Sequence, residues 1–344
     1  MDSEPPFQDA YKSLLEEQDN SKAVKLIDEF VEDCEVPVID LSRLNGCNNE
    51  ADKEECKKEI AKASKEWGFF QVVNHGIPQD VLQRMRREQV KLFRQPFQNK
   101  AAGKGDHKVS DLSGNNSYRW GTPTATCLKQ LSWTEAFHIP ITDVSNSAAG
   151  QPNRLSLTIK EFASTVSSLA QTIAEILAEN LGLKSAFFTE NCWPNTCYLR
   201  MNRYPPCPLP LKVFGLLPHT DSNFLTILYQ DQVGGLQLVK DGRWVTVKPN
   251  PEALIINIGD LFQAWSNDAY KSVKHRVVTN GRVERFSVAY FFCPSYDTII
   301  QSCKDGPRVY RKFSFREYRE QVQEDVRTTG NKVGLPRFLL SEGQ

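Results

Sequence analysis

His219-Thr220-Asp221 is followed further along the chain by His275 and then by Arg285-Phe286-Ser287. Two imidazoles and one carboxylate form the donor set that holds ferrous iron on one face and leaves the opposite face open. A single Arg beyond them, on a strand, suits the far carboxylate of a keto-acid cosubstrate, because the planar guanidinium offers paired N–H donors to both oxygens. A metal and a keto acid side by side would make an oxygen-activating enzyme. Residues two apart in an extended strand point to the same side. One strand can therefore present His219 with Asp221, and another Arg285 with Ser287. The spacing to His275 is long enough for a return strand of the same barrel. Five histidines are present, His75, His107, His138, His219 and His275, and only His219 is followed two residues later by an acid. The other three, His75, His107 and His138, read as structural.

Regular elements must hold these groups. Val36-Pro37-Val38-Ile39-Asp40-Leu41 alternates apolar and polar residues as a strand does. The pattern predicts helices over 52–67 and 78–93, with Gly68 as a stop signal and 68–76 a strand closed by a turn. A longer helix is predicted over 155–181, with apolar Ile159, Phe162, Val166, Leu169, Ile173 and Ile176 on one side and Gly182 at its end. Short β runs follow at 224–229, 236–239, 244–247, 254–258 and 286–292. Asp241-Gly242 and Asn280-Gly281 read as hairpin turns. Several short strands at regular spacing favour a jelly-roll barrel, so the fold class is α+β, a β core with flanking helices. A short amphipathic helix within 11–30, a mobile loop at 103–116 and a helix over 313–328 complete the map. The expected organisation is a polar leader (1–35), an N-terminal region (36–141), a connecting long helix (142–195), the jelly-roll core (196–300) and a C-terminal helical tail (301–344).

Composition narrows the classes of function. Lys and Arg number 42 and Asp and Glu 42, so no electrostatic footprint for nucleic acid or an anionic membrane exists. The amino terminus is acidic and lacks an apolar run, unlike a secretory signal or an Arg-rich transit peptide. No stretch is long and apolar enough to span a bilayer. Nine cysteines are present with no CxxC pair, and Cys192 with Cys197 does not match a zinc knuckle. Reduced thiols in the cytoplasm are the plain reading. Nothing signals a protein partner.

Asn202-Arg203-Tyr204-Pro205-Pro206-Cys207, Gly234-Gly235-Leu236-Gln237, His275-Arg276-Val277 and the two motifs above resemble the plant iron(II)/2-oxoglutarate-dependent dioxygenases. Pro37-Val38-Ile39-Asp40-Leu41 and Trp67-Gly68-Phe69-Phe70-Gln71-Val72-Val73-Asn74-His75-Gly76 agree, so the resemblance covers roughly 36–336. It implies a double-stranded β-helix core. It implies Fe(II) on His219, Asp221 and His275, and 2-oxoglutarate held by Arg285 with Ser287, Tyr204 and Asn202, with dioxygen as oxidant and ascorbate as reductant. The stretch from Ser117-Tyr118-Arg119-Trp120-Gly121 to Ser132-Trp133-Thr134-Glu135-Ala136-Phe137-His138 is similar to gibberellin 2-beta-dioxygenases that prefer twenty-carbon precursors. That resemblance implies a small diterpenoid substrate hydroxylated at carbon 2. Cys127 stands where Ser is expected and Gln95 where relatives often carry Leu; neither touches the metal motif.

Tyr118, Arg119 and Trp120 are candidate substrate contacts, with core packing for Trp120 and a solvated charge for Arg119 as the alternative. Of Phe291 and Phe292 only one can face the barrel interior, and Phe291 is carried as the candidate. Rival readings are another dioxygenase of the same family (a nineteen-carbon gibberellin 2-oxidase, a gibberellin 20- or 3-oxidase, a flavonoid oxidase), a zinc hydrolase, and a barrel that binds without catalysis. The hydrolase leaves Arg285 and Ser287 without a role.

Overall fold

Runs rich in Ile, Val, Leu and aromatic residues pair into two sheets in the computed structural model, which describes residues 3–16, 31–45, 49–102, 118–142, 154–183, 186–192, 196–210, 212–304 and 306–340. The larger sheet has eight strands. In spatial order they are β2 (Val38–Asp40), β3 (Phe69–Val73), β11 (Leu254–Ile258), β8 (Leu225–Gln230), β13 (Arg285–Phe292), β6 (Tyr198–Tyr204), β5 (Glu135–Pro140) and β4 (Tyr118–Trp120). The smaller has five: β1 (Asp33–Cys34), β10 (Arg243–Val247), β9 (Leu236–Lys240), β12 (His275–Val278) and β7 (Phe214–His219). A short pair, β14 (Ile299–Ile300) and β15 (Phe313–Ser314), stands apart. Only β1 with β10 and β2 with β3 run parallel among these pairs.

Strand alternation sorts the side chains into two environments. On β13, Phe286, Val288, Tyr290 and Phe292 join the large core beneath the helices, while Arg285, Ser287, Ala289 and Phe291 line the cavity between the sheets. On β6, Leu199 and Met201 face the helices, and Tyr198, Arg200, Asn202 and Tyr204 face the cavity. The helix Arg154–Asn180 buries Ile159, Phe162, Val166, Ile173 and Leu177 against the large sheet, as its periodicity requires. The helices Glu50–Glu66 and Gln79–Phe93 pack beside it. Asn49 caps the first of these by accepting from the Ala51 amide at 3.1 Å. Gly68 follows it at φ 63°, where an added Cβ would lie 2.2 Å from the Lys271 carbonyl oxygen. No other residue fits that turn.

Three expectations need correction. Asp241 and Gly242 both have positive φ and close the β9–β10 hairpin, but Asn280-Gly281 joins β12 to β13, which lie in different sheets. Its Asn side chain accepts from the Arg282 and Val283 amides, which stabilises a crossover as well as it would a hairpin. The amino-terminal helix divides into Phe7–Ala10 and Lys12–Glu16, with the remainder of 11–30 outside the described residues. The loop at 103–116 and His107 also lie outside them. Finally, the predicted runs do not include β1, β4, β5, β6, β7, β14 or β15.

A buried charge cluster ties the amino-terminal segment to the large sheet. Glu135 accepts from Lys100 Nζ at 2.5 Å, Arg203 Nη1 at 2.7 Å and the Tyr118 hydroxyl at 2.5 Å. Arg203 also meets Glu4 at 2.9 Å, and Lys100 donates to the Ser3 carbonyl at 2.7 Å. Eight cysteines among the described residues are free thiols. Among the described residues no helix is long and apolar enough to cross a membrane.

Candidate active site

His219 is the last residue of β7, and His275, the first of β12, stands directly opposite it across the ladder. Asp221 lies beyond the end of β7, in the turn that leads to β8. The two-residue spacing therefore works through a strand end, and not through one continuous strand. The imidazole centroids are 4.3 Å apart, and Asp221 Oδ1 lies 3.5 Å from His219 Nε2 and 3.7 Å from His275 Nε2. Their potential ligand atoms all fall within 4.8 Å of one another, the one such group among the described residues.

Each of these side chains is aimed by a second contact. His219 Nδ1 is 2.8 Å from the Leu217 carbonyl and His275 Nδ1 is 3.0 Å from that of Val273. A carbonyl can only accept, so each ring donates from Nδ1 and turns Nε2 inward. Burial, reinforced by His219, pushes the His275 pKa down to about 4, so that ring is neutral and able to ligate. Burial alone would raise the Asp221 carboxyl, but the two imidazoles and Thr226 outweigh it and hold it well below the usual carboxylate range. Its Oδ2 accepts from Thr226 Oγ1 at 2.6 Å and Asn257 Nδ2 at 2.8 Å, which leaves Oδ1 facing the imidazoles.

The turn itself is anchored from below. The Asp260 amide donates to the Asp221 carbonyl at 2.8 Å. The Asp260 carboxylate accepts from Thr220 at 3.0 Å, Ser272 at 2.6 Å, Lys332 at 2.7 Å and the Tyr318 hydroxyl. Gly259 permits this approach, since a Cβ there would sit 2.1 Å from the Asn223 carbonyl oxygen.

Arg285 lies further along the same cavity and is 2% exposed. Its Nη2 donates to Gln230 Oε1 at 2.7 Å, its Nη1 reaches Ser287 Oγ at 3.4 Å, and it sits 5.0 Å over the Tyr204 ring. No carboxylate pairs with it among the described residues, and its Nε and the Gln230 Nε2 have no partner. A buried guanidinium without an anion is costly. A buried guanidinium with an unpartnered donor, beside an inward-facing N, N, O donor set, fits a keto acid and ferrous iron.

Asn202, Tyr204, Ser287 and Phe291 share this cavity of about 290 Å³ with the triad and Arg285. The structure does not bring Tyr118, Arg119 or Trp120 to it. Tyr118 donates to Glu135, and burial, reinforced by that carboxylate, pushes its hydroxyl pKa well up. Trp120 packs edge-on to Phe7 at 5.4 Å and Phe97 at 5.6 Å, and Arg119 is exposed on the edge strand β4. Phe292 is in the helix-side core, and Phe291 stacks on Tyr198 at 4.5 Å on the cavity side. Sequence reasoning missed His138, taken as structural, whose ring lies 4.3 Å from that of Tyr198 and lines the cavity. It also missed Arg200, Val322, Val326 and Lys332. The β6 alternation from Asn202 back to Arg200 could have found one of them; the others arrive from distant segments.

Comparisons with known proteins agree with this geometry. Residues 195–294 match the model of the 2OG-Fe(II) oxygenase superfamily, and residues 36–156 that of the non-haem dioxygenase in morphine synthesis N-terminal region. The chain is 59% identical to Gibberellin 2-beta-dioxygenase 8 of Arabidopsis thaliana, over 98% of each chain. It is 48% identical to Gibberellin 2-beta-dioxygenase 6 of Oryza sativa subsp. japonica, over 98% of this chain and 96% of the other. Among solved structures, JOX2 in complex with 2OG, Fe and JA superposes with a TM-score of 0.74 at 31% identity, over 95% of this chain and 97% of that one. A rice dioxygenase for auxin oxidation gives 0.72 at 31% identity, over 89% and 100%. With jelly-roll fold, donor set and full-length relatives in agreement, the chain belongs to the plant iron(II)/2-oxoglutarate-dependent dioxygenases of the 2OG-Fe(II) oxygenase superfamily.

Proposed function

We propose that this enzyme hydroxylates gibberellins at carbon 2, acting on twenty-carbon precursors and so inactivating the hormone pathway at that point. The observation that carries the reading is the likeness to gibberellin 2-beta-dioxygenases along the whole chain, from 59% to 44% identity. The twenty-carbon preference rests on the 117–138 stretch, whose last residue, His138, lines the cavity. A cytosolic location fits the free thiols.

His219, Asp221 and His275 are the metal ligands in this reading. Arg285, with the hydroxyls of Ser287 and Tyr204, would take the far carboxylate of 2-oxoglutarate, and Asn202 would complete the residues that hold it. When bound, iron(II) and 2-oxoglutarate supply oxidation by dioxygen coupled to decarboxylation of the cosubstrate to succinate. The chain contributes orientation and exclusion. Thr226 and Asn257 fix the Asp221 carboxylate, and the Leu217 and Val273 carbonyls fix the imidazole tautomers. Leu216, Leu228, Leu236 and Val277 keep water from the reacting carbon, while Phe291 and Val322 border the diterpenoid body.

Purified protein incubated with Fe(II), 2-oxoglutarate, ascorbate and a panel of gibberellins should add one oxygen to twenty-carbon forms, read by mass spectrometry. His275→Ala should abolish the product. Reaction of nineteen-carbon forms alone would overturn the chain-length preference. No product from any gibberellin would overturn the substrate class.

A further inference from the structure

We infer that Arg200 is the anchor for a carboxylate of the primary substrate, forming a second anion site on the wall that holds the cosubstrate. The inference rests on the proposal above that the substrate is a gibberellin, a diterpenoid carboxylic acid.

The wall is a ladder of four cross-strand pairs between β6 and β13 whose side chains line the cavity: Tyr204 with Arg285, Asn202 with Ser287, Arg200 with Ala289, and Tyr198 with Phe291. The first two rungs are the cosubstrate end. The fourth is a stacked aromatic pair suited to an apolar body. Arg200 occupies the rung between, about 13 Å along the strand from Arg285. The small Ala289 opposite leaves room above it.

The charges point the same way. Asp221 is the one acid among the residues that line the cavity, against three permanent cations, Arg200, Arg285 and Lys332. Lys332 is neutralised by Asp260 at 2.7 Å. Iron(II), doubly charged 2-oxoglutarate, Asp221 and Arg285 cancel formally among themselves. Arg200 is the surplus. Its Nε donates to Asn202 Oδ1 at 2.9 Å, which fixes the guanidinium plane, and among the described residues its terminal nitrogens meet no acceptor. A held fork with both outer donors free is the geometry that takes a carboxylate side-on. The neighbouring His138 is no competitor. Burial and then Arg200 push its pKa down to about 4, which leaves a neutral ring.

The test compares wild type with Arg200→Met and Arg200→Lys. With gibberellin free acid and its methyl ester as substrates, wild type should favour the acid in kcat/KM by at least about thirty-fold, the worth of a charge-assisted pair. Arg200→Met should reduce that preference to about three-fold or less, and Arg200→Lys should restore part of it, as loss of one charged pair predicts. A second arm needs no turnover. Protein saturated with Fe(II) and the unreactive analogue N-oxalylglycine, without oxygen, is titrated with cyclohexanecarboxylate and with cyclohexanecarboxamide, and the melting temperature followed. The acid should bind at least about tenfold more tightly than the amide in wild type, and equally in Arg200→Met. An acid preference that survives Arg200→Met in either arm overturns the inference. If wild type converts no gibberellin, the substrate proposal falls and the second arm alone decides Arg200. If Arg200→Met is not stabilised by N-oxalylglycine, Arg200→Lys decides, with an unchanged preference counting against the site.

Discussion

Replacing Arg285 by Met should act in opposite directions on binding and on stability. The guanidinium is 2% exposed and, among the described residues, faces neutral groups only, namely Gln230, Ser287 and the Tyr204 ring. Holding an unpaired cation out of water costs several kcal/mol, and removing it would leave Gln230 Oε1 without its donor, a loss of about 1–3 kcal/mol. The ligand-free variant should therefore be more stable than wild type by about 1–3 kcal/mol, since Met fills most of the volume without the charge. Binding goes the other way. Removing one partner of a buried carboxylate pair costs about 3–5 kcal/mol, a loss of roughly a hundred- to several-thousand-fold in 2-oxoglutarate affinity. Urea denaturation with and without 2-oxoglutarate and Fe(II) reads both effects. At a concentration one hundred times its Kd, the cosubstrate should stabilise wild type by about 2.7 kcal/mol and the variant by almost nothing. A ligand-free variant less stable than wild type, or one with an unchanged 2-oxoglutarate midpoint, would refute the assignment of Arg285 as the carboxylate site of the cosubstrate.

Thr226→Val keeps the shape but removes the 2.6 Å hydrogen bond to Asp221. It should lower Fe(II) affinity about 10- to 100-fold, measured by metal titration of the stripped protein. Glu135→Gln leaves Lys100 and Arg203 buried without their shared carboxylate. A loss of about 3–5 kcal/mol in unfolding free energy is expected by urea titration, and a loss under 1 kcal/mol would contradict it. His138 gives a pH signature. Its folded pKa, about 4, lies below the ordinary 6.5, so the unfolded chain binds the extra proton between these values. The stability this contributes is complete above pH 6.5 and is lost as pH falls toward 4, amounting to about 2–3 kcal/mol. His138→Phe, which keeps the ring against Tyr198, should flatten the stability profile across that window; an unchanged slope there would count against a buried neutral imidazole.

The metal and cosubstrate motifs were legible because each contains a close-spaced pair, to which, in the metal motif, His275 is joined by strand pairing. An Arg and a Ser two apart share a side through strand geometry alone, and β13 presents Arg285, Ser287 and Phe291 as alternation requires, whereas His219 and Asp221 meet across a strand end and the turn that follows it. The long helix was equally readable, since the spacing of Ile159, Phe162, Val166 and Ile173 carries its own period. What the sequence hid depends on distant partners. Tyr118 and Trp120 suggested a substrate cap, but Glu135, Phe7 and Phe97 claim them. His138 looked structural because Tyr198, the residue that shows its place, is on another strand. Asn280-Gly281 has the chemistry of a tight turn, and chemistry of that kind does not reveal which sheet the next strand joins.

The Asp260 junction has a consequence for how such an enzyme can change its diet. The helix Phe315–Thr329 places Val322 and Val326 on the cavity, yet it is fastened to the metal turn through Tyr318 and, just beyond its end, Lys332, both on one carboxylate. Fastening and substrate contact thus belong to different residues of one segment. A lineage, or an engineer, could rewrite positions 322 and 326 to suit a bulkier or smaller guest while Tyr318 and Lys332 keep the segment docked. The strands that hold metal and cosubstrate would inherit unaltered, so new tastes could be tried without rebuilding the kitchen.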